Sequence, residues 1–171
     1  MSPETEGDTL GGRGSCRASA EPMQKRRHPT HGVEIFDNVP TIVFLTVCTK
    51  NRKPWLATEE NHEILRAVWK EATAWFVGRY VIMPDHLHLF ASPGIPALPL
   101  ESWVKYWKSQ FSKRKKDAEC RWQTDHWDYR LRKPDDYDSK WDYVVNNPVR
   151  HQLARTAEEW PFQGCLFELR W

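Results

Sequence analysis

No two of the four cysteines (Cys16, Cys48, Cys120 and Cys165) stand at the paired spacing of a zinc ribbon. Scattered single cysteines of this kind read as reduced thiols of a cytosolic protein. No apolar run approaches the ~20 residues that a membrane span needs. The N-terminus lacks the apolar segment of a signal peptide, and no internal repeat is visible. These absences predict a soluble, cytoplasmic protein with no membrane partner. The charge balance excludes little, because 25 Lys and Arg against 23 Asp and Glu leave a formal charge of only +2.

A hydrophobic fraction of 40% and ten tryptophans in 171 residues supply enough apolar surface for one well-packed domain. Residues 1–32 are rich in Gly, Ser, Glu, Arg and Pro, and read as a disordered leader. Its Lys25-Arg26-Arg27-His28 run reads as a solvated basic tail. The ordered domain is expected over residues 33–165, followed by a C-terminal tail at 166–171. Thr41 to Cys48 is a β-rich first strand. Thr58 followed by Glu59 and Glu60 opens a helix, acids in the first turn favouring its dipole. Ile64, Leu65, Val68, Ala72 and Trp75 continue it at helical spacing, and Gly78 is expected to end it.

Arg79 to Met83 then forms a second strand, Pro84-Asp85 a tight turn, and His86 to Ala91 an antiparallel third strand. Pro93 to Pro99 is a proline-rich loop. A second helix runs from about Leu100 to Lys116, with Trp103, Trp107 and Phe111 on one stripe. Trp122 to Leu131 reads as a fourth strand, Asp135 to about Asn146 as a third helix, and Pro148 to Ala154 as a short last helix. The order β-α-β-β-α-β-α predicts an α+β fold, a ferredoxin-like antiparallel sheet with helices packed on it.

Three constellations carry chemistry. His86 and His88 flank Leu87 in the third strand, so both imidazoles project from one face with backbones about 6–7 Å apart. That spacing lets both reach one metal ion, although a pair of hydrogen-bonded strand histidines has the same pattern. Asp85 either orients one imidazole or caps the turn. Downstream, Tyr143 and Asn147 are i and i+4 and share a helix face. A tyrosine one turn from a hard oxygen ligand suits a nucleophile held beside a divalent cation. Tyr143 reads as well as a packing aromatic, and Asn147 as the cap of the last helix with Pro148 at its first position. The third constellation is the second helix, whose Lys105, Lys108, Lys113, Arg114, Lys115 and Lys116 meet no acid between Ser102 and Asp117. Arg121, Arg130, Arg132 and Lys133 extend it. A one-signed block with interleaved aromatics suits a phosphate backbone and unpaired bases, although part of it is an ordinary solvated face.

Taken together, Tyr80-Val81-Ile82-Met83-Pro84-Asp85-His86-Leu87-His88-Leu89, the region Trp122 to Arg132, and Tyr143-Val144-Val145-Asn146-Asn147-Pro148-Val149-Arg150 resemble the single-tyrosine HUH transposases. The nearer likeness is to REP-associated tyrosine transposases, and it spans roughly residues 33–165. The resemblance implies an HUH endonuclease fold. It also implies Mg²⁺ or Mn²⁺ held by His86 and His88, with Asn147 as third ligand, where many insertion-sequence relatives place glutamine. Tyr143 would attack a phosphate of single-stranded DNA, giving a 5′-phosphotyrosine and a free 3′-OH. The partner would be a DNA hairpin, gripped by the basic second helix and the strand from Trp122 onward, and the protein a nucleoid-associated monomer or homodimer. Two other readings are a catalytically inactive hairpin-binding relative and a metal-dependent phosphohydrolase that uses the histidines without the tyrosine.

Overall fold

A computed structural model describes residues 41–94 and 98–170, the side chain of Asp135 excepted. The expected leader and residues 95–97 of the proline-rich loop lie outside the described residues. Five antiparallel strands form one sheet: β1 (Ile42–Cys48), β2 (Trp75–Ile82), β3 (His86–Pro93), β4 (Trp127–Leu131) and β5 (Gln163–Cys165), in the order β4-β1-β3-β2-β5. The first four strands, with α1 (Glu59–Glu71) and α2 (Leu100–Lys115) between them, make the expected β-α-β-β-α-β order. A short 3-10 turn follows β1 at Lys50–Arg52, and α3 (Pro134–Val145) and α4 (Asn147–Arg150) come after β4.

Alternation along the strands divides the core between the two sheet faces. Val43, Leu45 and Val47 of β1 and Leu87, Leu89 and Ala91 of β3 pack with α1 and the Trp103-Trp107-Phe111 stripe of α2. Ile42, Phe44, Phe90 and Leu131 pack on the other face with Val144 of α3, joined by Tyr137 and Trp141. The histidines belong to this second face.

Thr58 caps α1 as its sequence implies, its hydroxyl accepting from the Asn61 N–H at 3.3 Å. The helix stops earlier than expected, at Glu71, and Trp75 and Gly78 belong to β2 instead. Trp75-Phe76-Val77 is a run of strand-favouring residues, and it fits the 3.6 period only by coincidence. Gly78 lies at a bulge, where the β2–β3 register skips between Val77 and Tyr80, and a Cβ there would come within 2.7 Å of Leu169. β4 begins at Trp127 rather than Trp122, which makes only an isolated bridge to Thr49. The intervening carbonyls of Gln123, Thr124 and Asp125 turn instead to the Lys108 ammonium, at 2.8, 3.2 and 3.4 Å. The last helix covers Asn147–Arg150 rather than Pro148 to Ala154, and Gln152 beyond it has a positive φ of 58°. β5 was not expected; it pairs with β2 from Arg79 to Val81. Among the described residues, no helix is long and apolar enough to cross a membrane.

Candidate active site

The β1–β3 register sets Thr46 opposite His88 and Cys48 opposite His86. Both imidazoles therefore stand on the α3 face at one end of the sheet, their ring centroids 4.8 Å apart and nearly perpendicular. Each has its Nδ1 engaged. His86 donates to the Asp85 carboxylate at 2.7 Å, and the Thr46 hydroxyl lies 2.9 Å from Nδ1 of His88. Asp85 is itself held by Arg52 at 2.8 Å, and its backbone carbonyl accepts from Thr49. Phe44 stacks on the His88 ring at 5.4 Å.

Burial lowers the pKa of both imidazoles. His88 is pushed down to about 3, chiefly by desolvation and then by the neighbouring His86 and Arg52. His86 is lowered by desolvation too, the Asp85 carboxylate opposing this in part, and His151 is among the charges that act on it. At neutral pH both rings are therefore uncharged and, with Nδ1 occupied, each keeps Nε2 for a further partner. A neutral imidazole oriented through its other nitrogen is the form that binds metals. Among the described residues no group of three or more His, Cys, Asp and Glu could hold a metal ion. A cation at this pair would draw its remaining ligands from other donors, such as an amide oxygen or a phosphate.

Tyr143 lies near the end of α3 on the same sheet face and is 56% exposed. The Arg150 guanidinium sits 4.3 Å from its ring centroid. Phe90 and Val144 anchor the helix, Phe90 contacting Tyr137 at 4.6 Å and Trp141 at 6.3 Å. Asn147 is 5% exposed and is the first residue of α4; the cap position falls to Asn146, whose side chain makes no capping bond. Instead the Asn146 amide donates to the Asp142 carbonyl. The N-cap reading of Asn147 is thereby removed, and so is the helix face it was expected to share with Tyr143: the exposed tyrosine lies in the last turn of α3 and the buried asparagine opens α4. His151 follows α4 directly.

The basic residues divide. α2 packs on the face opposite the histidines, and Lys108 is buried there, its pKa lowered to about 8 by desolvation. Lys105 pairs with Glu101, Arg114 with Glu71 and Lys115 with Glu60, while Lys113 and Lys116 are exposed. Arg130 lies in β4 opposite Val43, Arg132 just beyond it is exposed, and the Arg121 side chain donates to the Ala118 carbonyl. Lys50, Arg52, Lys105, Lys116 and Arg121 line an open groove of about 1110 Å³ between α2 and the 3-10 turn. Arg52 joins that groove to Asp85, and hence to His86. Sequence reading gave no role to Thr46, Arg52, Arg150 or His151. Arg52 and Thr46 carry no motif, since only pairing across the sheet brings them to the histidines.

No family model matches the sequence. A REP-associated tyrosine transposase of Escherichia coli K12 is 28% identical over 126 residues, which cover 70% of this chain and 73% of that protein. A protein of Haemophilus influenzae described in similar terms is 25% identical over 140 residues, 72% of this chain and 78% of its own length. The solved structure of a REP-associated tyrosine transposase bound to a REP hairpin superposes with a TM-score of 0.65 at 24% identity, over 77% of this chain and 81% of that one. The fold is thus the HUH type: a five-stranded antiparallel sheet with helices on both faces. Within that class, the chain resembles the REP-associated tyrosine transposases, as its motifs indicate.

Proposed function

We propose that the chain is a single-stranded DNA endonuclease and strand transferase acting beside a DNA hairpin. One observation carries this reading. Two adjacent imidazoles, each held through Nδ1, share a sheet face with a helix that presents an exposed tyrosine. Tyr143 is the nucleophile. Its phenolic oxygen forms a bond to the scissile phosphorus as the bond to the 3′-oxygen breaks. The products are a 5′-phosphotyrosine and a 3′-OH that has taken up the proton. Attack by that 3′-OH reverses the step and rejoins a strand without a nucleotide cofactor. Arg150, against the tyrosine ring at 4.3 Å, holds the ring in place as a cation–π partner.

The donor set fits a divalent cation. His86 and His88 would hold it through Nε2, with the Asn147 amide as third protein ligand, and the hard oxygen donors of Asn147 and the substrate favour Mg²⁺ or Mn²⁺. When bound, such a cation polarises a phosphate and stabilises its charge. The Asp85 carboxylate, which only accepts, keeps His86 in the tautomer that leaves Nε2 unprotonated, and the Thr46 hydroxyl holds the His88 ring through Nδ1. The basic groove that meets the site at Arg52 accepts the hairpin backbone.

The test is covalent capture. Wild-type protein incubated with a hairpin bearing an unpaired flank and Mn²⁺ should yield a protein–DNA adduct, and Tyr143→Phe should yield none. An adduct from Tyr143→Phe would reassign the nucleophile. Hairpin binding without cleavage under any divalent ion would make the chain an inactive binding relative.

A further inference from the structure

Trp127 and Tyr129 are the two outward aromatics of edge strand β4, 40% and 42% exposed. They belong to neither core, yet their rings are ordered: parallel within 6° at a centroid separation of 6.2 Å. The β1–β4 register sets Trp127 opposite Thr46 and Tyr129 opposite Phe44, so both stand on the histidine face. Phe44 bridges the two regions, stacking on His88 at 5.4 Å and meeting Trp127 edge-on at 6.2 Å. From α3, the Lys140 ammonium lies 5.7 Å from the centre of Tyr129 and 5.8 Å from that of Phe44. Lys140 is one helical turn before Tyr143.

Leaving a tryptophan and a tyrosine open to water forfeits the burial that such rings normally gain. Here the open faces are flat, parallel, flanked by a cation, and continuous through Phe44 with the histidine pair. Unpaired nucleobases suit such a surface: each has a π-face to stack on and a phosphate to meet the lysine. We propose that Trp127 and Tyr129 are the stacking platform for unpaired bases next to the phosphate that Tyr143 attacks. Lys140 holds the backbone between the platform and the tyrosine. The inference rests on the single-strand DNA reading given above.

The experiment measures affinity of the full chain, in chelator so that no strand is cut, for a labelled hairpin with and without a short unpaired extension at its foot. Trp127→Ala and Tyr129→Ala together should weaken binding of the extended hairpin by roughly tenfold or more, leave the blunt hairpin unaffected, and regain most of the loss in Trp127→Phe with Tyr129 restored. Abasic sites in the extension should reduce wild type to the level of the double variant. Equal losses for blunt and extended hairpins would overturn the proposal, as would no loss at all. So would a change of oligomeric mass in the variant, which would mark the platform as a contact between copies. Adduct formation is scored separately with Mn²⁺. Failure of Tyr143 chemistry with base-dependent binding intact would sink the cleavage reading and leave the platform standing.

Discussion

The hydroxyl of Thr46 lies 2.9 Å from Nδ1 of His88, on a strand pairing that sets the two residues directly opposite each other. Val matches Thr in shape and strand preference but offers no oxygen, so Thr46→Val isolates this bond. Without it, the His88 ring loses its side-chain hydrogen bond at Nδ1 and keeps its stacking on Phe44. Loss of such a partner to a ligand imidazole commonly costs 10–100-fold. Adduct formation should therefore fall by roughly that factor while the unfolding midpoint stays close to wild type. An unchanged rate would remove Thr46 from the site.

Lys108 stands in the basic helix yet serves the fold. Its ammonium reaches the carbonyls of Gln123, Thr124 and Asp125 and pins the segment that leads into β4. Lys108→Met keeps the aliphatic stem and deletes the donor. Losing hydrogen bonds from a charged donor costs about 1.5–3 kcal/mol, which urea unfolding would read directly. Lys116→Ala, on the exposed wall of the groove, should weaken hairpin binding and lower its salt dependence with stability unchanged. The reverse pattern would assign the two lysines the opposite roles.

Strand alternation made the sheet and the histidine pair readable, since a period of two places His86 and His88 together whatever surrounds them. The shared helix face expected of Tyr143 and Asn147 did not hold, because α3 ends at Val145 and Asn147 opens α4. What escaped was whatever depends on pairing between distant segments. Gly78 looks like a helix stop, but its role is set by Leu169, which crosses β2 from far down the chain. Three residues suffice for β5 because β2 supplies its partner, and so short a run carries no periodicity of its own. Lys108 reads as one more surface cation, because nothing near it in sequence reveals the three carbonyls it meets.

Gly164 tests the packing of that unforeseen strand. A Cβ there would lie 2.8 Å from the phenolic oxygen of Tyr80, which is wholly buried. That oxygen accepts from Arg66 at 2.7 Å and lies 2.9 Å from Nε2 of His62, so it has little freedom to retreat. Gly164→Ala should destabilise the domain by about 1–3 kcal/mol, the usual cost of overpacking. Chemical denaturation checks it, and a variant within about 0.5 kcal/mol of wild type would show that β5 yields easily.

Acid should loosen the fold through the same histidines that serve the site. His88 has an ordinary pKa of 6.5 and is held at about 3 in the folded chain, burial being the main cause and His86 and Arg52 adding to it. Above about pH 6.5 the ring is neutral whether the chain is folded or not, and contributes no pH dependence. Below that, the unfolded chain binds the proton and the folded chain refuses it. Stability present at neutral pH is therefore lost as pH falls from 6.5 towards 3, at up to about 1.4 kcal/mol per unit from this one group. His86, shifted in the same direction by burial, adds to the slope. Carboxylates obscure the lower part of the window, so the comparison belongs between about pH 6.5 and 5. Urea unfolding in chelator should give a shallower slope for His88→Asn than for wild type there. Parallel slopes would mean that His88 takes up its proton inside the folded domain.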